Sequence, residues 1–250
     1  MGRTYSESDI KLLYGLAAAR CSFPDCRIDL TLENKPGEKK QIGKIAHIVA
    51  YSDTGPRADA CYPREKINSY ENLILLCGTH HDVIDTASSR YSVTDLQNMK
   101  KQHEAWVEES LVTEVMEVGF AELEVATRAI LASTSMVAND SFTVTPPRQK
   151  MEKNKLTEAI HHLLIMGLSR SREVGQYIEA QSKLDPGYPE RLKAGFKGEY
   201  DRLIDEGIYS DALFEAMLTF ASGNSGDFKR RAAGLVILSH LFEICEVFEQ

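Results

Sequence analysis

The sequence contains no uninterrupted apolar run approaching the roughly 18 residues that a membrane-spanning helix needs, and no membrane partner is expected. Its opening, MGRTYSESDIK, lacks the apolar core of a secretory signal, so the expected location is cytoplasmic. Positive charge is not in excess: 29 Lys and Arg stand against 37 Asp and Glu, a net charge of −8. That excludes bulk electrostatic attraction to nucleic acid, although a local basic surface would suffice for phosphate contacts. There is no internal repeat and no low-complexity tract. Five cysteines without a secretory signal do not read as a disulfide framework. What is present is ordinary globular composition, 43% hydrophobic and 26% charged, over 250 residues, enough for one large or two modest domains. The first 110 residues hold 14 Lys and Arg against 16 Asp and Glu, so most of the negative excess lies beyond them, and two jobs are suggested.

Along the chain, Ile10, Leu13, Leu16 and Ala17 recur at helical spacing before the turn Cys21-Ser-Phe-Pro-Asp-Cys26. Residues 31–40 read as an exposed polar turn. Gln41–Ala50 and Asn72–Cys77 have the look of short strands, the second equally compatible with a helix, and are separated by a long loop over 52–70 that carries Gly55-Pro56 and Pro63. Short helical sequence follows from Thr79 to Thr86. A capping pair, Ser92 and Asp95, opens a helix continuing past Trp106, and Ala121–Leu131 is a further helical stretch. Residues 132–154 are polar with two prolines and read as a linker or a short strand entering the next domain, beyond which four or five helical segments appear. The expected organisation is therefore a domain over 1–110, a connecting helix and linker over 111–150, and a helical domain over 151–250.

Four residues carry the first chemical argument. Cys21 and Cys26, and then Cys77 and His80, form two short pairs, each on a tight turn. Tetrahedral zinc is commonly built from two such pairs, because a turn holds two donors on one side of the ion. The plainer alternative is buried cysteines with incidental histidines.

With these pairs interleaved, the order His47, Asn72, His81 resembles the HNH endonuclease family. The matching features are the strand histidine in Lys44-Ile-Ala-His-Ile48, the segment Asn72-Leu-Ile-Leu-Leu-Cys77, and Cys77-Gly-Thr-His-His81 leading into a helix. The resemblance, over residues 10–108, implies an α+β fold: a zinc-stapled ββα-metal nuclease domain followed by an all-α C-terminal domain. It implies hydrolysis of DNA phosphodiester bonds with Zn2+ as staple and Mg2+ or another divalent ion at the reacting phosphate. In such a site His47 would be the general base, since a neutral imidazole titrating near neutrality suits proton abstraction. His81 would ligate the catalytic ion, and Asp85, one helical turn on, can point to the same place. Asn72 would hold the ββα turn and orient the base. Many family members carry a metal ligand directly before the base histidine, and this chain has Ala46 there, which keeps open a zinc-bound nucleic-acid reader that does not cleave. Arg57, Lys39, Lys40 and Lys44 are candidate phosphate contacts, with a solvated turn as the alternative for the lysines. His103 reads as a packing or surface residue, and Cys61 and Cys245 as structural.

The blocks KIAHIVAYSDTGPR and ENLILLCGTHHDVID also look like HNH effectors of bacterial antiphage systems. The segments KNKLTEAIHHLLIMGL, GYPERLKAGFKGEYDRL and SDALFEAMLTFA resemble the helical C-terminal domains of effectors in ABC-type three-component systems. That resemblance implies a tail for assembly or regulation, with a homo-oligomer or defence-system protein partners, rather than a second active site.

Overall fold

The structure is a computed structural model that describes residues 4–35, 38–132, 147–244 and 248, without the side chains of residues 34–39. It divides into two compact units, Met1–Glu109 and Ser110–Gln250.

In the first unit Ser6 caps helix α1 (Glu7–Leu16), its hydroxyl accepting from the Asp9 backbone N–H at 3.0 Å. Ala18 and Ala19 then take left-handed φ of 47° and 52°, ending the helix and turning the chain toward Cys21. Two antiparallel strand pairs follow. β1 (Thr31–Lys35) pairs with β2 (Glu38–Gln41), so the stretch read as a polar turn is a hairpin. Its register sets Glu33 opposite Lys39, an oppositely charged cross-strand pair that a search for apolar alternation does not score. β3 (Lys44–His47) pairs with β4 (Leu73–Leu76), His47 lying opposite Leu73. The loop between them carries two short 3-10 turns, Arg64–Lys66 and Tyr70–Asn72. Helix α2 (Gly78–Thr86) follows β4 at once and completes a β–β–α unit.

Every residue of β4 is fully buried, which explains its unbroken Leu-Ile-Leu-Leu run. Leu13, Leu30, Ile48, Ile84 and Leu96 close around it. Gly43, just before β3, is required by close approach. A Cβ there would sit 2.7 Å from the Tyr14 hydroxyl and 2.8 Å from Leu75 Cδ1.

Helix α3 (Val93–Glu117) opens on the expected cap, Asp95 accepting from the Ser92 N–H at 2.8 Å while Ser92 Oγ accepts from the Asp95 N–H at 3.2 Å. His103, on this helix, is a buried tie. Its Nε2 donates to the Ala17 carbonyl at 3.0 Å, and Nδ1 accepts from the Arg27 guanidinium, which also lies 4.4 Å over the Trp106 ring.

The described elements of the second unit, besides the end of α3, are helices: α4 (Phe120–Ala132), α5 (Pro147–Lys153), α6 (Glu158–Leu168), α7 (Ser171–Leu184), α8 (Tyr188–Asp205), α9 (Ser210–Ala221) and α10 (Phe228–Ile244). α10 is buried on all sides from Arg231 to Phe242 and packs against α4, α6, α7 and α9. Its buried Arg231 is neutralised from α9, meeting Glu215 at 2.6 Å with both side chains buried. Gly167 lets α6 cross α10 closely, since a Cβ there would fall 2.7 Å from Ser239 Cβ. Two readings of the connecting region need correction. The stretch 111–150 is no simple connection, because α4 buries Leu123, Ala126, Thr127 and Ile130, a helical stripe, in the core of this unit. The expected linker begins at 132 and runs to 154, but α5 makes its last residues helical; residues 133–146, and Cys245, lie outside the described residues.

The environment of His103 yields a prediction. Burial, reinforced by the Arg27 and Arg20 charges, pushes its pKa down from 6.5 to about 4. Between those values the unfolded chain binds a proton that the native chain refuses, so stability falls as pH drops from 6.5 toward 4. The loss approaches 3 kcal/mol, an order-of-magnitude figure from about 1.4 kcal/mol per pKa unit. Urea unfolding of the wild type and His103→Gln from pH 7 to 4 should show a shallower acid slope in the variant; equal slopes would remove His103 from this role.

Candidate active site and metal centre

The four pair residues converge. One donor atom each from Cys21, Cys26, Cys77 and His80 lie within 4.8 Å of one another, although the chain between the pairs is 50 residues long. Local backbone builds each half. After α1 the chain reverses through Phe23–Cys26, where the Cys26 N–H reaches the Phe23 carbonyl and Asp25 adopts a left-handed φ of 60°. Cys77 is the N-cap of α2, its sulfur accepting from the His80 N–H at 3.4 Å, and the Cys77 N–H in turn reaches Cys21 Sγ at 3.3 Å. Backbone donors and a helix N-terminus thus face the sulfurs. His80 Nδ1 lies 3.1 Å from Cys77 Sγ and 3.6 Å from Cys21 Sγ. Donors about 2.0–2.3 Å from a tetrahedral ion stand roughly 3.5 Å apart, so the set fits a zinc-sized ion. The His80 ring is held by Phe23, stacked at 3.9 Å and nearly parallel. Burial pushes the Cys21 thiol up to about 12, so a cation is what would let this sulfur ionise near neutrality.

His47, at the inner end of β3, is almost fully buried. Its Nε2 lies 2.9 Å from Asn68 Oδ1, and the rings of Tyr5 and Tyr51 stand 5.6 and 5.7 Å away. Asn72, at the end of the second 3-10 turn just before β4, is buried and turns its carboxamide to backbone. Its Oδ1 accepts from the Val49 N–H at 2.8 Å, and its Nδ2 donates to the carbonyls of Val49 and Ile67 at 3.0 and 2.9 Å. It therefore closes the backbone on both sides of the site. His81, on the first turn of α2, points Nδ1 toward Asp85 Oδ2 at 4.0 Å and Asp82 Oδ1 at 3.6 Å.

Arg57 corrects an expectation. It is not an exposed phosphate contact, because its side chain is 5% exposed and its donors are engaged. Nε reaches the Ile48 carbonyl at 3.1 Å, Nη1 the Ile84 carbonyl at 2.8 Å, and Nη2 both the His47 carbonyl at 3.5 Å and Asp85 Oδ1 at 2.8 Å. The guanidinium ties the end of the His47 strand to Ile84 and Asp85, one turn of α2 beyond His81. Lys40 and Lys44 are exposed on β2 and β3, while the Lys39 side chain lies outside the described residues. Ala46 belongs to the apolar core, on the opposite face of β3 from its neighbour His47, so no donor stands there. Asn68 escaped the sequence reading altogether, since an asparagine in a long polar loop carries no spacing signal.

This arrangement, two antiparallel strands and a helix whose start shares a Cys3His cluster with a distant turn, defines a ββα metal-site domain. Residues 26–88 match the family model described as HNH endonuclease. The match takes in Cys26, His47, Asn72, Cys77, His80, His81 and Asp85 and leaves Cys21 outside; it covers about a quarter of the chain. No curated protein matches the chain. Residues 26–88 are thus similar to an HNH endonuclease domain, and a Cys3His group that could hold a metal lies with them.

Elemental analysis should find close to one zinc per chain. Cys77→Ser should lose it and unfold the first unit, because structural zinc supplies folding free energy on the order of 10 kcal/mol in small metal domains. A Cys77→Ser protein with the wild-type melting profile and no zinc would defeat the assignment.

Proposed function

We propose that the chain is a metal-dependent HNH endonuclease that hydrolyses DNA phosphodiester bonds, acting in the cytoplasm as a bacterial antiphage effector controlled through its helical second unit. The observation that carries the catalytic part is the Arg57 bridge, which joins the His47 strand to the Asp85 carboxylate beside His81. In this reading His47 takes the proton from the attacking water, while Asn72 holds the backbone around it. His81 and the Asp85 oxygen not engaged by Arg57 would hold a divalent ion such as Mg2+, which supplies Lewis-acid stabilisation of the charge growing on the phosphate. Zinc at Cys21, Cys26, Cys77 and His80 would be structural. Lys40 and Lys44, with Lys39, would meet the DNA backbone.

The defence role and the control role rest on the sequence resemblances. The helical character of the second unit is compatible with self-association or a protein partner. A second reading, a zinc-dependent nucleic-acid-binding regulator without cleavage, is favoured by one observation, the apolar Ala46 where a ligand would help hold the ion.

Plasmid nicking with Mg2+, Mn2+ or Ni2+ separates the two. Wild type should nick, and His47→Ala should lose ~100-fold to ~10,000-fold in rate while keeping its zinc; activity within about threefold of wild type would remove His47 as the base. Light scattering should find full-length protein associated with itself and a 1–109 fragment less so. Equal association of the two would take assembly away from the second unit.

A further inference from the structure

We infer that Asn68 is a positioning residue for His47, fixing the imidazole with its proton on Nε2 and its basic lone pair on Nδ1. The inference rests on reading His47 as the general base. Asn68 Nδ2 donates to the Thr4 carbonyl at 3.0 Å, and that bond decides which end of the carboxamide faces the histidine. Oδ1 is left 2.9 Å from His47 Nε2. An amide oxygen only accepts, so Nε2 must carry the hydrogen, and in a neutral imidazole the other nitrogen is then the base.

The loop that brings Asn68 here is itself fixed. Asn72 donates to the carbonyl of Ile67, the residue before Asn68, and binds both backbone groups of Val49, two residues after His47. One buried carboxamide therefore sets the distance between the base and the group that chooses its tautomer. Tyr5 and Tyr51 flank the ring without a formal charge, and Arg57 addresses the His47 carbonyl rather than the imidazole. Among these contacts the one with Asn68 is the bond that distinguishes the two nitrogens. The arrangement orients the imidazole as a carboxylate often does behind a catalytic histidine, but with a neutral partner.

The test uses full-length, zinc-loaded protein with 15N-labelled histidine. The His47 signals, identified by their loss in His47→Ala, report the tautomer directly through the nitrogen shifts. Wild type should show Nε2 protonated. Asn68→Ala should give a mixed tautomer and a 10- to 100-fold lower nicking rate, an order expected for losing orientation of a base rather than the base itself, with unchanged zinc content. Asn68→Asp keeps the acceptor in place and should restore the Nε2–H form and most of the rate. A wild-type spectrum with the proton on Nδ1, or an Asn68→Ala spectrum identical to wild type, overturns the inference. Should Asn68→Ala fail to fold, the wild-type and Asn68→Asp spectra still decide it. Absence of nicking by wild type would count against the nuclease reading alone, since the tautomer is read without cleavage.

Discussion

The first unit depends on one constraint, that two turns far apart in sequence must deliver four donors to one point. Cys21 is buried in the core beside β4 rather than on a surface knuckle, so the metal cluster and the apolar core share atoms. A thiolate there is costly without a cation, and three thiols crowded together without one would repel on ionising. The neighbouring contacts follow from that demand. Phe23 stacks on His80, the α2 N-terminus faces Cys77, and Arg27, next to Cys26, is held by His103 and Trp106 of α3. Fixing the start of α2 in this way also fixes His81, the residue after a proposed zinc ligand.

The second layer of order around His47 is built from groups that address backbone. Asn72 satisfies three main-chain groups, and Arg57 reaches three main-chain carbonyls besides Asp85. Loops cannot bury unpaired carbonyls, so a long connection between β3 and β4 can pack closely only where side chains supply the missing donors. That need explains why an arginine and an asparagine sit buried in a segment that looks like an ordinary polar loop.

This is also where the sequence stopped being legible. The zinc pairs, the order His47, Asn72, His81 and the run Leu73–Leu76 could be read because each is a spacing or a period. The cap Ser92–Asp95 could be read for the same reason. Arg57 could not be placed correctly, since an arginine after Gly-Pro in a loop is equally consistent with binding phosphate or backbone; its burial is a tertiary fact. Asn68 and the His103–Arg27 tie depend on contacts across 21 and 76 residues that no local pattern encodes. The stripe Leu123, Ala126, Thr127, Ile130 was in plain view, but a helical stripe does not say which core it enters. The β1–β2 hairpin was hidden because its residues, several of them charged, show no apolar alternation.

The fate of Arg57 changes the electrostatics of the proposed reaction. Its charge is matched by Asp85 and its donors by carbonyls, so it adds little positive field for an approaching phosphate. The chain as a whole is acidic. The attraction that remains lies with exposed lysines such as Lys40 and Lys44, solvated charges whose effect is weak at a distance and screened by salt over about 10 Å. In the proposed reaction the divalent ion therefore has two duties, stabilising the transition state and offsetting the repulsion between substrate phosphate and the exposed Asp82 carboxylate beside His81. In that proposal the metal would govern substrate binding as well as rate.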